Sequence, residues 1–292
     1  MKTTLSAWEL NNNDLELIDL ALIEDLGVSY CDKTTALLFP TFKEKVSAVL
    51  ISKHPQPIII CGLPIVKAVL QKWDDCTVQS NYSDGQVLLP GEILATLTGP
   101  APFLLMSERI ILNFLQRLCA IATLTACYVE KINHTTTQIL DTRKTLPGFR
   151  HLEKYAVQCG GGVNHRMGLY DAIMIKDTHV DLLGGMSVAL TRLPDNILQT
   201  CPVIIEVRTL DELNILLEKG LHKVTRILLD NMSFVQLEEC VDLCKGYVAT
   251  EASGNMTLDR IAAVAECGVD FISVGKLTHS AGNVDLSMKC GF

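Results

Sequence analysis

PVIIEVRTLDELNILLEKGLHKVTRILLDNMSFVQLEECVDLCKGYVATEASG, residues Pro202–Gly254, decides the fold. Three short runs, PVIIEV, RILLD and GYVATE, are apolar enough and brief enough to read as strands. The segments between them, TLDELNILLEKG and SFVQLEECVDLCKG, read as helices. Each opens on Thr or Ser, carries an acid or a glutamine in its first turns, and closes on Gly. Those are an N-cap, a dipole-matched first turn and a C-terminal stop in one segment. Downstream, TLDRIAAVAECG repeats the helix pattern and DFISVG the strand; upstream, QILDT and AIMIK are further strands. The acids at the strand ends, Glu206, Asp230 and Glu251, stand 24 and 21 residues apart, the length of one βα unit.

Repeated βα units require a parallel sheet with right-handed crossovers. A barrel suits the polar residues that recur at the C-terminal ends of the strands, the face where barrel enzymes place their chemistry. Six readable strands fall short of a complete barrel, so the expectation is an incomplete one. The N-terminal half has another rhythm. A helix over Asn13–Asp25 with Asn13 as its cap carries Leu15, Ile18, Leu22 and Ile23 on one face. The strand candidates KVSAVLISK, PIIICG, QVLL and EILATLTG follow, with a helix at Leu63–Trp73, and a long helix then runs from Pro102 to Ile132. This half reads as a mixed sheet covered by helices.

Composition narrows the function. The 292 residues are 48% apolar, and the net charge of -8 argues against a nucleic acid or an anionic membrane as the main partner. Eleven cysteines at irregular spacings, with no C-x-x-C pair, suit a reducing cytoplasm in which thiols pack as small hydrophobes. MKTTLSAWELNNND lacks the apolar core of a signal peptide. The greasiest stretch, Ile110–Val129, is broken by Asn113, Gln116 and Arg117 and reads as a buried helix, not a membrane span.

Against the acidic background, Asp141–Asp177 gathers Arg143, Lys144, Arg150, His151, Lys154, His165, Arg166 and Lys176 around Gly160-Gly161-Gly162. A local basic cluster suits a small anion. Arg143, Arg166 and Lys176 offer two planar forks and a point charge for carboxylates or phosphates. Lys154 reads as a helix-surface residue, and His165 as a binding group, not a proton donor. Glu206 and Asp230 suit Mg²⁺, which takes one or two carboxylates and leaves its other positions to water and phosphates. Capping a neighbouring helix is the simpler account of one such acid; two on successive units beside a basic cluster favour function. Ser253-Gly254-Asn255 and Ser273-Val274-Gly275 have the small residues of a phosphate-binding turn. Together these residues describe a barrel enzyme with a metal-associated phosphorylated substrate and an anionic co-substrate, and they do not name the reaction.

TRKTLPGFRHLEKYAVQCGGGVNHRMGLYDAIMIKD closely resembles the quinolinate phosphoribosyltransferase family, the decarboxylating nicotinate-nucleotide pyrophosphorylases. ALIEDLG, DKTT, SERIILNFLQRLCAIATLT, ILLDNM, EASGNM and DFISVGKLTHSAGNVDLSM extend the resemblance over nearly the whole chain. It implies an α/β fold: an N-terminal α/β sandwich over 1–115, to which 276–292 return, and an incomplete α/β barrel over 116–275. It implies a homodimer with active sites at the subunit interface, small-molecule substrates and Mg²⁺. The implied reaction converts quinolinate and phosphoribosyl pyrophosphate to nicotinate mononucleotide, pyrophosphate and CO₂ in NAD biosynthesis. By the same resemblance, Arg143, His165, Arg166 and Lys176 would hold quinolinate, with Arg109 supplied by the partner subunit. Thr142 and Lys144 would lie near the pyrophosphate and reaction centre, and Glu206 and Asp230 would meet ribose and metal. Ser253, Gly254, Asn255, Val274, Gly275, Lys276 and His279 would form the 5′-phosphate site.

The sequence departs from the family pattern at Cys119-Ala120, Thr178 and Lys276, none of them a residue expected to touch substrate except Lys276, which could add a phosphate contact. The rivals to this reading are a ModD-like relative with another co-substrate, a Schiff-base barrel aldolase using Lys176, and a non-catalytic nucleotide-binding regulator.

Overall fold

The structure, a computed structural model, describes residues 8–73 and 75–291; the first seven residues of the N-terminal stretch lie outside it. The chain divides into two compact units, Met1–Ala126 with Leu146–Gly161 and Ala281–Phe292, and Cys127–Thr145 with Gly162–Ser280.

In the first unit, β1 (Lys45–Ser52), β2 (Ile58–Ile59), β3 (Thr77–Gln79), β4 (Val87–Leu88) and β5 (Ile93–Pro100) alternate with α1 (Asn12–Leu26), α2 (Lys33–Leu38) and α3 (Leu63–Leu70). The long α4 (Ala101–Lys131) follows. Strands β1, β5 and β3 form an antiparallel sheet, and the chain's last strand pairs with the free edge of β1 from Ala48–Cys290 to Ser52–Leu286. The C-terminal segment therefore completes this sheet. Helix α1 starts earlier than its sequence pattern suggested. Asn11 is the cap, exchanging hydrogen bonds with Asp14 in a capping box, and the buried face is Asp14, Ile18, Leu22 and Leu26. Leu15 and Ile23 are exposed. Asn11 and Asn13 both precede an acid by three residues, Asp14 and Glu16, so the local rule alone does not choose between them. The earlier cap adds backbone bonds, beginning with Leu15 N to Asn11 O at 3.1 Å, and seats the buried Asp14 against His151.

Helix α4 is long and apolar enough to cross a membrane by length and composition alone, but most of its apolar window is buried in the fold. Asn113 is exposed, and the other two polar interruptions have partners inside the unit. Gln116 Nε2 donates to Leu286 O at 3.0 Å, and the Arg117 guanidinium donates twice to Glu153 Oε1 at 2.8 and 3.1 Å. Glu153 lies on α5 (Arg150–Cys159), a helix buried nearly all round, including Lys154, which has no exposed surface. The surface position expected for Lys154 is thus wrong: α5 has apolar or paired neighbours on every face. His151, on the same helix, contacts Asp14 Oδ2 at 2.6 Å and stacks with Trp8. Asp84 accepts from the first amides of α3, Gly62 N at 2.9 Å and Leu63 N at 3.1 Å, and from Tyr155 OH at 2.9 Å. With Cys61 and Cys159 it is the one group among the described residues with metal-ligand spacing. Its oxygens already cap the helix, and burial raises the Cys61 thiol well above its ordinary pKa, so these residues read as packing.

The second unit holds β6 (Gln138–Leu140), β7 (Ile173–Ile175), β8 (Val203–Val207), β9 (Arg226–Asp230), β10 (Ala249–Ser253) and β11 (Phe271–Ser273). Helices α6 (Asp177–Leu183), α7 (Met186–Thr191), α8 (Leu210–Lys219), α9 (Phe234–Cys244), α10 (Ile261–Glu266) and α11 (Lys276–His279) intervene, and β12 (Leu286–Cys290) is the strand returned to the first unit. The six strands are parallel, in the order β6-β11-β10-β9-β8-β7. From β7 to β11 each strand joins its predecessor, and β11 then pairs with β6, the first. Only the β6–β7 link is missing among the described pairings, so the sheet is a barrel lacking one seam. A parallel bridge from Leu140 to Val163 occupies the open edge of β6.

Local rules place the helices. Thr209 caps α8 by accepting from Glu212 N, and Ser233 makes a capping box with Gln236 at α9. The third pattern fails at its start: Thr257 closes a turn instead, and α10 begins at Ile261 behind Arg260. Cys240 and Cys244, one helical turn apart, are both buried on α9 and pack as small hydrophobes.

Gly160, the first of the three glycines, ends α5. A Cβ there would strike the Ala122 carbonyl oxygen and lie 2.6 Å from Thr125 Cβ, both on α4. The helix end approaches α4 too closely for any side chain. Gly160→Ala is expected to cost about 2 kcal/mol in a denaturant titration, the usual range for overpacking a core; an unchanged midpoint would contradict this packing.

Candidate active site

Strand residues alternate between the helix-covered face and the barrel interior. Val203, Ile205 and Val207 on β8, and Ile227 and Leu229 on β9, are buried on the outer face. The opposite parity lines a cavity of about 240 Å³: Met174 and Lys176, Glu206, Leu228 and Asp230, Glu251 and Ser253, and Ser273. Thr142, Arg143 and Lys144, just beyond β6, and His165 and Arg166, beyond the Val163 bridge, complete the lining. Nine of the site residues implied by the resemblance thus meet in this cavity with Ser273 of the expected phosphate turn, joined by Met174, Leu228 and Glu251.

Charge is sorted around the ring. Cations come from the ends of β6 and β7 and from the segment carrying Arg166; acids come from β8, β9 and, fully buried, β10; the serine hydroxyls come from β10 and β11. Arg166 donates through Nη1 to Ala172 O at 2.9 Å, which fixes its fork. Burial and the nearby Arg143 both pull its pKa below the ordinary value. Two guanidinium groups held this close make a site for an anion. Lys176 is exposed at the lip, and its backbone N–H donates to His179 Nδ1 at 2.9 Å. Thr178 is exposed, and its backbone N–H donates to Asp177 Oδ1 at 2.6 Å.

On the acidic side, burial raises the Glu206 carboxyl to about 7, helped by the charges of Asp230 and Asp177 and opposed by Lys176. Asp230 Oδ2 accepts from Asn231 Nδ2 at 2.7 Å. Asn231 has a positive φ of 53° and accepts from Asn255 Nδ2 at 3.4 Å, so the Ser253–Asn255 turn packs on the end of β9. Gly254, at φ 100°, leaves no room for a Cβ against the Asn231 amide. Asn255, the next residue, also takes a left-handed φ of 49°, a conformation that asparagine tolerates.

Gly254, Asn255, Val274, Gly275, Lys276 and His279 are not among the cavity-lining residues. They form turns beside it. A Cβ on Gly275 would lie 3.1 Å from Lys144 Cδ and 3.3 Å from the His279 ring. Thr278 Oγ1 donates to Lys144 O at 2.8 Å, tying the same turn to the lysine. Lys276 is exposed at the start of α11. Arg109 is exposed on α4 in the first unit. Arg150, His151 and Lys154 belong to α5, so the basic run is divided between the units.

Register corrects one expectation. Glu206 pairs with Leu228 and Leu228 with Glu251, whereas Asp230 pairs with Ser253. Glu251 therefore lies one layer below Asp230, because Val248 still belongs to the turn closing α9, its amide bonded to Cys244 O, and β10 starts late. Glu251 has no exposed surface and accepts from Arg226 Nη1 at 2.9 Å and from Ser273 Oγ. Arg226 was missed. Counting back in twos from Asp230 would have placed it inward.

The family pattern for the quinolinate phosphoribosyl transferase N-terminal domain matches residues 32–119, and that for the C-terminal domain matches 121–289. A decarboxylating quinolinate phosphoribosyltransferase of Nicotiana tabacum is 38% identical over 290 residues, covering 94% of this chain and 81% of the relative. A chloroplastic, carboxylating nicotinate-nucleotide pyrophosphorylase of Arabidopsis thaliana is 36% identical over 289 residues, with 94% and 81% covered. Among solved structures, the nicotinate-nucleotide pyrophosphorylase of Francisella tularensis superposes with a TM-score of 0.88 at 36% identity, covering 98% of this chain and 100% of its own. That of Ehrlichia chaffeensis gives 0.86 at 33%, with both chains fully covered. By sequence over both halves and by fold, the chain belongs to the quinolinate phosphoribosyltransferase family.

Proposed function

We propose that the strand-end cavity is where this chain acts as a decarboxylating quinolinate phosphoribosyltransferase. It joins the ring nitrogen of quinolinate to C1 of phosphoribosyl pyrophosphate, releases pyrophosphate and CO₂, and yields nicotinate mononucleotide for NAD biosynthesis. The observation that carries the assignment is the division of one cavity into a cationic wall, with Arg143 beside Arg166, and an acidic wall, Glu206 with Asp230. A dianionic pyridine fits the first and a ribose developing positive charge fits the second.

In this reading Arg143, Arg166 and Lys176 hold the two carboxylates of quinolinate, His165 lies behind them, and Arg109 arrives from the partner of a homodimer. Its exposure on α4 supports that role. Positioning the ring nitrogen in line with C1 is the arginines' contribution. As the nitrogen's pair forms the new bond, the C1–O bond breaks and its pair leaves on pyrophosphate. The oxocarbenium-like charge at C1 is stabilised by Glu206 and Asp230, while Lys144 and Thr142 attend the leaving group. The C2 carboxylate then departs as CO₂, leaving its bonding pair on C2, where the adjacent positive charge of the quaternised ring nitrogen stabilises it until C2 takes up a proton. Ser253, Gly254 and Asn255, with the Val274–Gly275–Lys276 turn and His279, hold the 5′-phosphate.

Glu206 and Asp230 also fit Mg²⁺, since burial first and the charge of Asp230 second raise Glu206, and a divalent cation offsets both. When bound it would supply charge neutralisation for the departing pyrophosphate. The eleven unbridged cysteines support a reducing compartment, the cytoplasm in our reading. Neither an aldolase nor a bare regulator accounts for acids placed opposite the arginines.

Three outcomes follow from these roles. Supplied with quinolinate, phosphoribosyl pyrophosphate and Mg²⁺, the protein is expected to release CO₂ and form nicotinate mononucleotide in equal amounts; borohydride trapping of Lys176 with a carbonyl substrate, in place of turnover, would sink the assignment. Arg166→Ala should raise the KM for quinolinate roughly 100-fold while leaving that for phosphoribosyl pyrophosphate nearly unchanged; equal losses for both would contradict the cationic wall as the quinolinate site. The third outcome concerns Glu206. Its folded pKa stands above its unfolded value, so its contribution to stability is complete below about 4.5 and is lost as pH rises through about 7. In metal-free buffer Glu206→Gln should melt above the parent at pH 8, by about 2–4 °C once solvent screening is allowed for, with the gap closing toward pH 4.5. Parallel melting curves across that range would refute the strain between the carboxylates.

A further inference from the structure

At the buried floor of the cavity, two side chains donate to one carboxylate and a histidine faces it. Glu251 is fully buried midway along β10. Arg226 Nη1, from β9, donates to its Oε2 at 2.9 Å, and Ser273 Oγ, from β11, donates to its Oε1. His165 Nε2 stands 3.5 Å from Oε2. The histidine is further defined at its other nitrogen: Nδ1 accepts from the backbone N–H of Arg166 at 2.7 Å. An Nδ1 that accepts carries no proton, so Nε2 carries it and points to Glu251. The His165 backbone N–H in turn donates to the buried Asp141 Oδ1 at 2.8 Å. Arg226 is held in place on its other side, its guanidinium carbon 3.9 Å from the centre of the Phe271 ring.

We propose that Glu251, charge-balanced by Arg226, is a positioning residue for the reaction: it fixes the tautomer and orientation of His165, and through the Nδ1 bond the backbone from which Arg166 reaches the cavity. Its role is to hold these neighbours, since its carboxylate has no exposed surface. Burial alone would push the Glu251 carboxyl up, but the facing His165 ring and the bonds from Ser273 and Arg226 outweigh it and hold the group below its usual range, ionised. The same carboxylate holds Ser273, one residue before the Val274–Gly275–Lys276 turn, so the quinolinate side and the phosphate side of the site are set by one buried anion.

The network also predicts that an isosteric amide does not substitute. Three donors face the carboxylate, whereas Gln offers a single acceptor oxygen and turns an NH₂ toward at least one of them. The inference rests on the quinolinate site described above, and the test separates the two. With Glu251→Gln, the KM for quinolinate should rise roughly 10- to 100-fold, with a smaller change for phosphoribosyl pyrophosphate, and the melting temperature should fall. In Arg226→Met/Glu251→Gln, which leaves no uncompensated buried charge, the melting temperature should recover while the quinolinate KM stays high. A double variant that regains the parental KM would reduce Glu251 to a counter-ion for Arg226, and a parental KM in the single variant would overturn the proposal outright. ¹⁵N spectra of histidine-labelled protein give a readout independent of turnover. The parent should show His165 protonated at Nε2 and bare at Nδ1, and Glu251→Gln should lose that pattern. Should the parent fail to use quinolinate, the functional reading falls, and the tautomer alone decides on Glu251: an unchanged pattern in the variant overturns its positioning role.

Discussion

Winding in one direction is the constraint on which the catalytic unit depends. From β7 to β11 every strand is added beside the previous one, and each right-handed crossover therefore lays its helix on the same side of the sheet. The other side is left with no helix to cover it, and its only means of burial is to curve until β11 meets β6. Strand alternation then sends every second side chain into the enclosed space. Polar residues at those positions cannot be dispersed. They are forced together at one end of the sheet, and the cavity is a consequence of topology before it is one of chemistry.

Chemistry enters through the order of the strands. Because neighbours in sequence are neighbours in space, a run of sequence with one sign of charge becomes one wall of the cavity. Arg143 and Lys144 follow β6, Lys176 follows β7, and these are the two strands that flank the missing seam. Arg166 lies beyond the segment that bridges to β6. Glu206 and Asp230 end β8 and β9, away from that seam. The repulsion within each wall is visible in opposite shifts, with Arg166 lowered and Glu206 raised, both by burial first and by a like charge second. Substrates of the complementary sign relieve both at once, which makes ligand binding worth more here than the same contacts would be in water.

What could be read from the sequence was whatever local rules decide. The caps at Thr209 and Ser233 and all six strands of the barrel were legible, because a cap needs only its own first turn and a buried strand only its own apolar run. The cationic and acidic strand ends were legible for the same reason. Register was not. Glu251 looked like the end of its strand because GYVATE begins apolar two residues before the ladder does, and only pairing with β9 shows that Ser253 is the partner of Asp230. Lys154 failed similarly: a lysine on a helix is normally solvated, and only the surroundings of α5 make it buried.

Arg226 and Glu251 show why such misses fall on this kind of residue. Alone in the sequence each resembles a surface charge, and the two are brought into contact by a strand register that no single segment encodes. Leaving a charge pair in a barrel core is costly compared with apolar packing, and stability does not call for it. A carboxylate is what this position supplies that a leucine would not: an acceptor for several donors at once, fixed by strands on both sides. It is found beside the residues that, in the proposed function, hold a planar dianion at a defined angle. The cost of burying the pair is therefore best understood as the cost of a rigid site, with the geometry of Arg166 and Ser273 set from below by the barrel and not left to their own side-chain rotamers.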